Sequence, residues 1–290
     1  TVAGDGAGNT FAWGINTQDQ CGLATVSEGT SSGEGRSRKT GKAVPLPPGP
    51  RPGGLAPPPA HVLEPTIIPA LVGVRVSAVA CGAAHTVVVG DEGRRVYSWG
   101  LGKQGQLGHG TFDHCPTPQP VEELTTMGVT ITAAACGLAH TALLDSGGDV
   151  WMFGWNNVGQ LGLGREVDRG DLSLPTAFDR STAVLGMSTS GNPIEGYGCS
   201  EISHVSCGGG HTMVVDIHGR AFSAGSNSCG QLGLGDDQDR DRLTNVATSV
   251  MGPVAFTACG EEYTLLVTRG RSVYACGLGN VGQLGDGEKG

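Results

Sequence analysis

No apolar run in this chain of 290 residues approaches the roughly 18 residues that a membrane-spanning helix requires. The opening residues, TVAGDG, contain no basic-then-apolar segment of the secretory kind. Basic charge is scarce as well: 18 Lys and Arg stand against 27 Asp and Glu, a formal net charge of −9. Phosphate backbones and anionic membrane surfaces select for the opposite balance, so nucleic acid and membrane are disfavoured as partners. No two cysteines are spaced Cys-x-x-Cys, which weakens any zinc reading, and no Ser/His/Asp or Cys/His arrangement can be placed from spacing. The expectation is no catalytic residue, no metal and no cofactor.

What is abundant is glycine, 51 residues, much of it at recurring positions. Copies of one unit begin at Cys81, Cys136, Cys207 and Cys259, so the spacings are 55, 71 and 52 residues. The second copy reads CGLAHTALLDSGGDVWMFGWNNVGQLGLG, and a headless fifth covers residues 1–23. Periods near fifty with Gly-punctuated short strands indicate a radial or stacked repeat. Within a copy, Val87-Val88-Val89, the turn Asp91-Glu92-Gly93 and the run 96–99 form a hairpin by composition and spacing. Phe11, Tyr97, Trp151, Phe222 and Tyr274 hold one aligned position of the second run. Two residues on, Trp13, Trp99, Phe153, Ala224 and Cys276 share the same face, as a period of two requires. The segment before each Cys is strand-like, as in 74–80, and a Pro-containing stretch such as 116–121 leaves room for a fourth strand. Gly-Gln-Leu-Gly closes each unit, its glycines suited to a tight turn and its Leu to a core anchor. Four antiparallel strands per repeat, set radially, make an all-β fold: a β-propeller, one continuous domain over residues 1–290. The chain enters mid-repeat and stops after a Gly-Gln-Leu-Gly turn, which reads as a fragment of something longer.

Two intervals between copies are overlong. Residues 27–65 are Pro/Gly/Ser-rich with a basic cluster (Arg36, Arg38, Lys39, Lys42, Arg51), which predicts a solvated inserted loop, with a Pro-rich ligand tract as its functional reading. Residues 181–199 form a shorter insert. Nine cysteines suggest disulfides, but Cys81, Cys136, Cys207 and Cys259 share one repeated slot, and equivalent slots in different blades do not come within bonding range. They are expected to be small buried core residues in a reducing compartment, an intracellular setting, cytoplasmic or nuclear. His85, His140 and His211 also share a slot, with Tyr263 in the last copy; the expected role is to tie the turn to neighbouring backbone. GLGKQG at 100–105 and GLGNVG at 277–282 match the dinucleotide fingerprint, but no helical pattern follows either, so these are turn glycines. Asp236, Asp239 and Asp241 resemble the start of a calcium loop without its later ligands, and read as a solvated acidic loop.

Cys-Gly-x-x-His-Thr, then x-Gly-x-Val-Tyr-x-Trp-Gly, then Gly-Gln-Leu-Gly-x-Gly, resemble the repeats of the regulator of chromosome condensation (RCC1) family over nearly the whole chain. The resemblance implies a seven-bladed propeller, of which this chain supplies about five blades. Family members include a nuclear exchange factor for the GTPase Ran, scaffolds, ubiquitin-ligase propellers and a plant ultraviolet receptor, and fold alone does not choose among them. The resemblance also places a partner-facing turn between the Cys-Gly and His-Thr pairs. Here that turn carries Ala83 and Ala84, Leu138 and Ala139, Gly209 and Gly210, and Glu261 and Glu262. No Trp lies in the turn, which argues against tryptophan-based light sensing. The small apolar residues suit a shallow protein-docking face. The favoured expectation is a non-catalytic interaction propeller with a protein partner; the alternative is an exchange factor for a small GTPase, with Glu261 and Glu262 as its acidic contacts.

Overall fold

The computed structural model describes residues 1–4, 8–23, 61–164, 174–177, 184–187, 193–195, 199–246 and 251–287. They form five sheets in chain order. The first holds β1 (Val2–Gly4), β2 (Thr10–Ile15) and β3 (His61–Ile67). The second holds β4 (Val76–Cys81), β5 (His85–Gly90), β6 (Arg95–Gly100) and β7 (Cys115–Pro120), and is followed by the short helix α1 (Glu122–Met127). The third is β8 (Ile131–Cys136), β9 (His140–Asp145), β10 (Val150–Gly154) and β11 (Thr176–Ala177). Next come β12 (Val184–Met187), β13 (Pro193–Glu195), β14 (Ile202–Cys207), β15 (His211–Asp216), β16 (Ala221–Gly225) and β17 (Arg240–Asn245), which share the fourth sheet. The last is β18 (Val254–Cys259), β19 (Tyr263–Thr268) and β20 (Val273–Gly277). Among the described residues the sheets do not close into a ring, and the architecture is a partial propeller.

Each repeat folds as its pattern dictates. In the second sheet the hairpin register sets Val88 opposite Tyr97 and Thr86 opposite Trp99, so the aromatic positions of β6 share one face and Val96 the other. The first strand of every copy carries a bulge at the same point, between Val76 and Ala78, Ile131 and Ala133, Ile202 and His204, and Val254 and Phe256.

The core is four separate layers, one between each pair of neighbouring sheets. Tyr97 and Trp99 pack against Ala12 and Val62 of the first sheet. Leu143 and Phe153 of the third meet Val87, Val89 and Val96 of the second. Phe222 and Ala224 of the fourth meet Ala142, Leu144 and Met152 of the third. Leu266 of the fifth meets Met213, Val215 and Ala221 of the fourth. Hydrophobic burial is therefore a property of sheet pairs, and no sheet has a core of its own.

The inserts differ from their expected boundaries. Residues 24–60 lie outside the described residues, but the end of the tract 27–65 is strand: His61–Ile67 pairs with β2, with Val62 buried. Composition hid it because Pro65 sits in the run, and an edge strand tolerates proline since no ladder bond is lost on its open side. Within the second insert, 181–199, β12 and β13 form a hairpin that joins the edge of the fourth sheet through a parallel pairing of Val184 with Thr244. Among the described residues no helix is long and apolar enough to cross a membrane.

Candidate functional site

The turn between the Cys-Gly and His-Thr pairs is set by the glycine that begins it. A Cβ on Gly82 would lie 2.3 Å from His85 Cε1, one on Gly137 2.1 Å from His140 Cε1, and one on Gly208 2.1 Å from His211 Cε1. Only glycine lets the imidazole fold back against its own turn. Folded back, each ring reaches the next sheet. His85 Nε2 lies 3.0 Å from Thr141 Oγ1, His140 Nε2 3.0 Å from Thr212 Oγ1, and His211 Nε2 2.8 Å from Thr264 Oγ1. Each of those hydroxyls donates onward, Thr141 to the Gln106 carbonyl at 2.9 Å, Thr212 to Gln160 at 2.7 Å and Thr264 to Gln231 at 2.8 Å. A hydroxyl has one proton, so it accepts from the ring, and the proton of each imidazole is on Nε2. The chain His–Thr–Gln thus crosses from one blade to the next and back.

Burial holds these imidazoles neutral, lowering His85 and His211 to about 4 and His140 to about 3. The partner differs from the expected one: it is a side-chain hydroxyl of the neighbouring blade, not backbone. The Gln side chains close their own turns, Gln106 Oε1 accepting from Gln104 N–H at 2.9 Å and Gln231 Oε1 from Cys229 N–H at 2.9 Å. Leu107, Leu161 and Leu232 beside them are fully buried anchors.

The cysteine slot also differs from expectation. None of the nine cysteines is in a disulfide, but Cys81 is exposed and Cys136, Cys207 and Cys259 are half-buried. The slot ends the first strand, where the sheet gives way to the exposed turn, so its outer side is open. Burial still pushes the Cys259 and Cys276 thiols up to about 11, so neither is a thiolate nucleophile near neutral pH. Among the described residues no group of His, Cys, Asp or Glu is placed to hold a metal. The acidic loop 236–241 is ordered: Asp236 pairs with Arg240 at 2.6 Å and accepts from Asn227, whose own N–H donates to Asp239 at 2.8 Å. Both Gly-Leu-Gly segments lead into turns, without a helix.

The turns stand side by side on one face. Leu138 N–H donates to Gly209 O at 3.1 Å, and Gly209 N–H donates to Glu261 O at 2.9 Å, so the turns of the last three blades form a continuous rim. Ala83 and Leu138 are exposed, Ala84, Ala139, Gly209 and Gly210 half-buried, and Glu261 and Glu262 exposed. At Gly209-Gly210 the rim opens into a cavity of about 200 Å³. Leu138, Trp155 and Val158 line it together with Gly209, Gly210, Glu261 and Glu262. Gly209 is required, because a Cβ there would lie 2.8 Å from Glu261 O and 3.0 Å from Glu261 Cγ. Gly210 is not: its Cβ would make ordinary contacts with Ser226 at 3.5 Å and Val158 at 3.8 Å. Trp155 escaped the sequence reading although a signal was present, since the aligned residues of the other full copies are Leu101, Ser226 and Leu278. Ala83 and Ala84, in the second blade, stand outside this cavity.

Comparison with known proteins agrees with the architecture. The RCC1-like domain family matches residues 1–290. The Ultraviolet-B receptor UVR8 of Arabidopsis thaliana is 35% identical over 228 residues, covering 78% of this chain and 46% of the receptor. The chain thus spans under half the length of that relative. Among solved structures, human WBSCR16 superposes with a TM-score of 0.70 at 20% identity, covering 97% of this chain and 64% of that one. Prp20p from Saccharomyces cerevisiae, whose structure was described with its binding properties to Gsp1p and histones, gives 0.55 at 18% identity, covering 99% and 72%.

Proposed function

The chain belongs to the RCC1-like domain family, and from that premise we propose that it is a non-catalytic interaction module that docks a protein partner through the rim of turns around Gly209-Gly210. The observation that carries this reading is the cavity where the rim opens, flanked by exposed Leu138 and by two exposed carboxylates. Elsewhere the recurring polar groups of the repeat are used structurally: the His–Thr–Gln chains bind blade to blade. High thiol pKa values at Cys259 and Cys276 oppose nucleophilic chemistry there. A reducing, intracellular setting goes with this reading, since none of the nine cysteines is in a disulfide. The test compares the proteins retained from a native extract by the wild type, by Leu138→Asp and by a control, Arg75→Asp, which alters an exposed side chain on the second blade. Partners lost with Leu138→Asp and kept by the control support the rim; equal retention by all three overturns it.

A second reading rests on Glu261 and Glu262, the acidic pair on the rim. An exchange factor for a small GTPase would use them near the nucleotide site, and Prp20p is a fold neighbour described with binding to Gsp1p. Release of fluorescent GDP from a panel of small GTPases decides between the two. Acceleration that disappears in Glu261→Ala/Glu262→Ala supports exchange activity, and no acceleration on any member leaves the docking module.

A further inference from the structure

We infer that the cavity at Gly209-Gly210 takes a single arginine side chain from a basic segment of the docked protein. The inference rests on the docking reading above and adds the chemistry of the group recognised. Size is the first argument: about 200 Å³ is below the range of small-molecule sites and suits one long side chain. Charge is the second. Glu261 and Glu262 line the cavity, no Lys or Arg does, and neither carboxylate has an ion pair among the described residues. Both carboxylates are exposed, and a cation docked beside them is attracted by both.

The third argument is the aromatic residue in the lining. Trp155 supplies an indole, and an indole face together with carboxylates is the combination that suits a planar guanidinium: the ring attracts the cation, and an oxygen pair accepts from its fork of N–H donors. Asn157 and Ser226, also in the lining, offer further polar atoms. A Lys ammonium satisfies the charge without matching the plane, so it binds less well. The glycines make the space. Gly209 is forced by the approach of Glu261, whereas Gly210 has room for a side chain that it does not carry, and that room is the cavity.

Fluorescence polarisation of labelled peptides tests this with the whole chain. The probes are Gly-Ser peptides of about twelve residues, the scale of an extended recognition segment, with three central positions occupied by Arg, Lys, Gln or Glu. The expected order is Arg tighter than Lys, with Gln weak and Glu absent, and the Arg signal falls as salt is raised from about 50 to 300 mM. Glu261→Gln/Glu262→Gln, which keeps shape and removes charge, weakens the Arg peptide by about tenfold or more, the scale of one charge-assisted contact. Gly210→Leu, which fills the space, abolishes binding while leaving the thermal melt in place. Equal binding of the Arg and Gln peptides, no Arg binding at all, or Arg binding unchanged in either variant overturns the inference. If those results appear while Leu138→Asp still loses its partners, the docking reading stands and only the arginine site falls.

Discussion

The fourth and fifth sheets repeat the same unit 52 positions apart, and the two copies meet different surroundings. In the fourth, His204, Val215 and Ala221 lie in one cross-strand row and Ser206, Met213 and Ser223 in the next. Met213, Val215 and Ala221 are completely buried, covered by the fifth sheet. The equivalent rows in the fifth are Phe256, Val267 and Val273, then Ala258, Leu265 and Ala275. These residues are as apolar as their counterparts, yet Phe256 is 47% and Val273 63% exposed. The first sheet is open on its opposite flank, where Ile15, Leu63 and Ile67 are exposed. A repeat therefore encodes a face to be buried, and the neighbour decides whether burial happens.

Acidification gives the largest expected effect and separates the stitched blades from the last one. His85, His140 and His211 titrate near 6.5 when unfolded and at about 4, 3 and 4 when folded. Below pH 6.5 the unfolded chain binds more protons, so stability is intact above that value and is lost as pH falls toward 4. Each histidine contributes about 1.4 kcal/mol per pH unit across the window. Denaturant melts at descending pH should show steepening loss, and the slope should drop by about 1.4 kcal/mol per pH unit in His140→Gln. The last blade has Tyr263 at this slot, so Tyr263→Phe should leave the profile unchanged.

Burying a charge breaks the comparison more locally. Met213→Asp should destabilise by about 4 kcal/mol or more, because an unpaired carboxylate enters a dry layer. Leu265→Asp, at the equivalent position, should cost about 1 kcal/mol or less and reduce self-association, measured by denaturant unfolding and light scattering. Equal costs at the two sites would show that the fifth sheet is covered in solution.

Smaller effects lie within the turns. Gly208→Ala should cost about 2–3 kcal/mol through its collision with His211, whereas Gly210→Ala, two residues on, should stay within about 0.5 kcal/mol. Thr212→Val, which strips one stitch and leaves His140 Nε2 and the Gln160 carbonyl unpaired, should cost about 1–3 kcal/mol. Thermal or denaturant unfolding reads all three, and equal loss at Gly208 and Gly210 would contradict the steric account.

Much of the fold was legible because each blade is written locally. Hairpin register, the aromatic face of the second run and the Gly-Gln-Leu-Gly anchor all follow from short-range pattern. Features that join two blades were not legible. Thr141 stood in the pattern only as half of a His-Thr pair, and its bonds to His85 and Gln106 span 56 and 35 residues, a distance no local pattern reports. Pro65 masked an edge strand, and the acidic residues near 236 read as solvated because Asn227, which orders them together with Arg240 of the run itself, lies upstream in the preceding turn. Half of the cavity was anticipated, through Leu138, Gly209, Gly210, Glu261 and Glu262; Trp155 and Val158 belong to a different loop and meet it only after folding.

By itself the sequence determined the unit: alternation fixes which side chains share a face, and glycine fixes where the chain turns, since both depend on backbone geometry within a few residues. Tertiary structure alone decided what those faces and turns are for. Which apolar row is buried, which histidine finds a hydroxyl and where a gap is left beside two carboxylates all depend on one sheet lying against the next, and that is a relation between blades rather than a property of any of them.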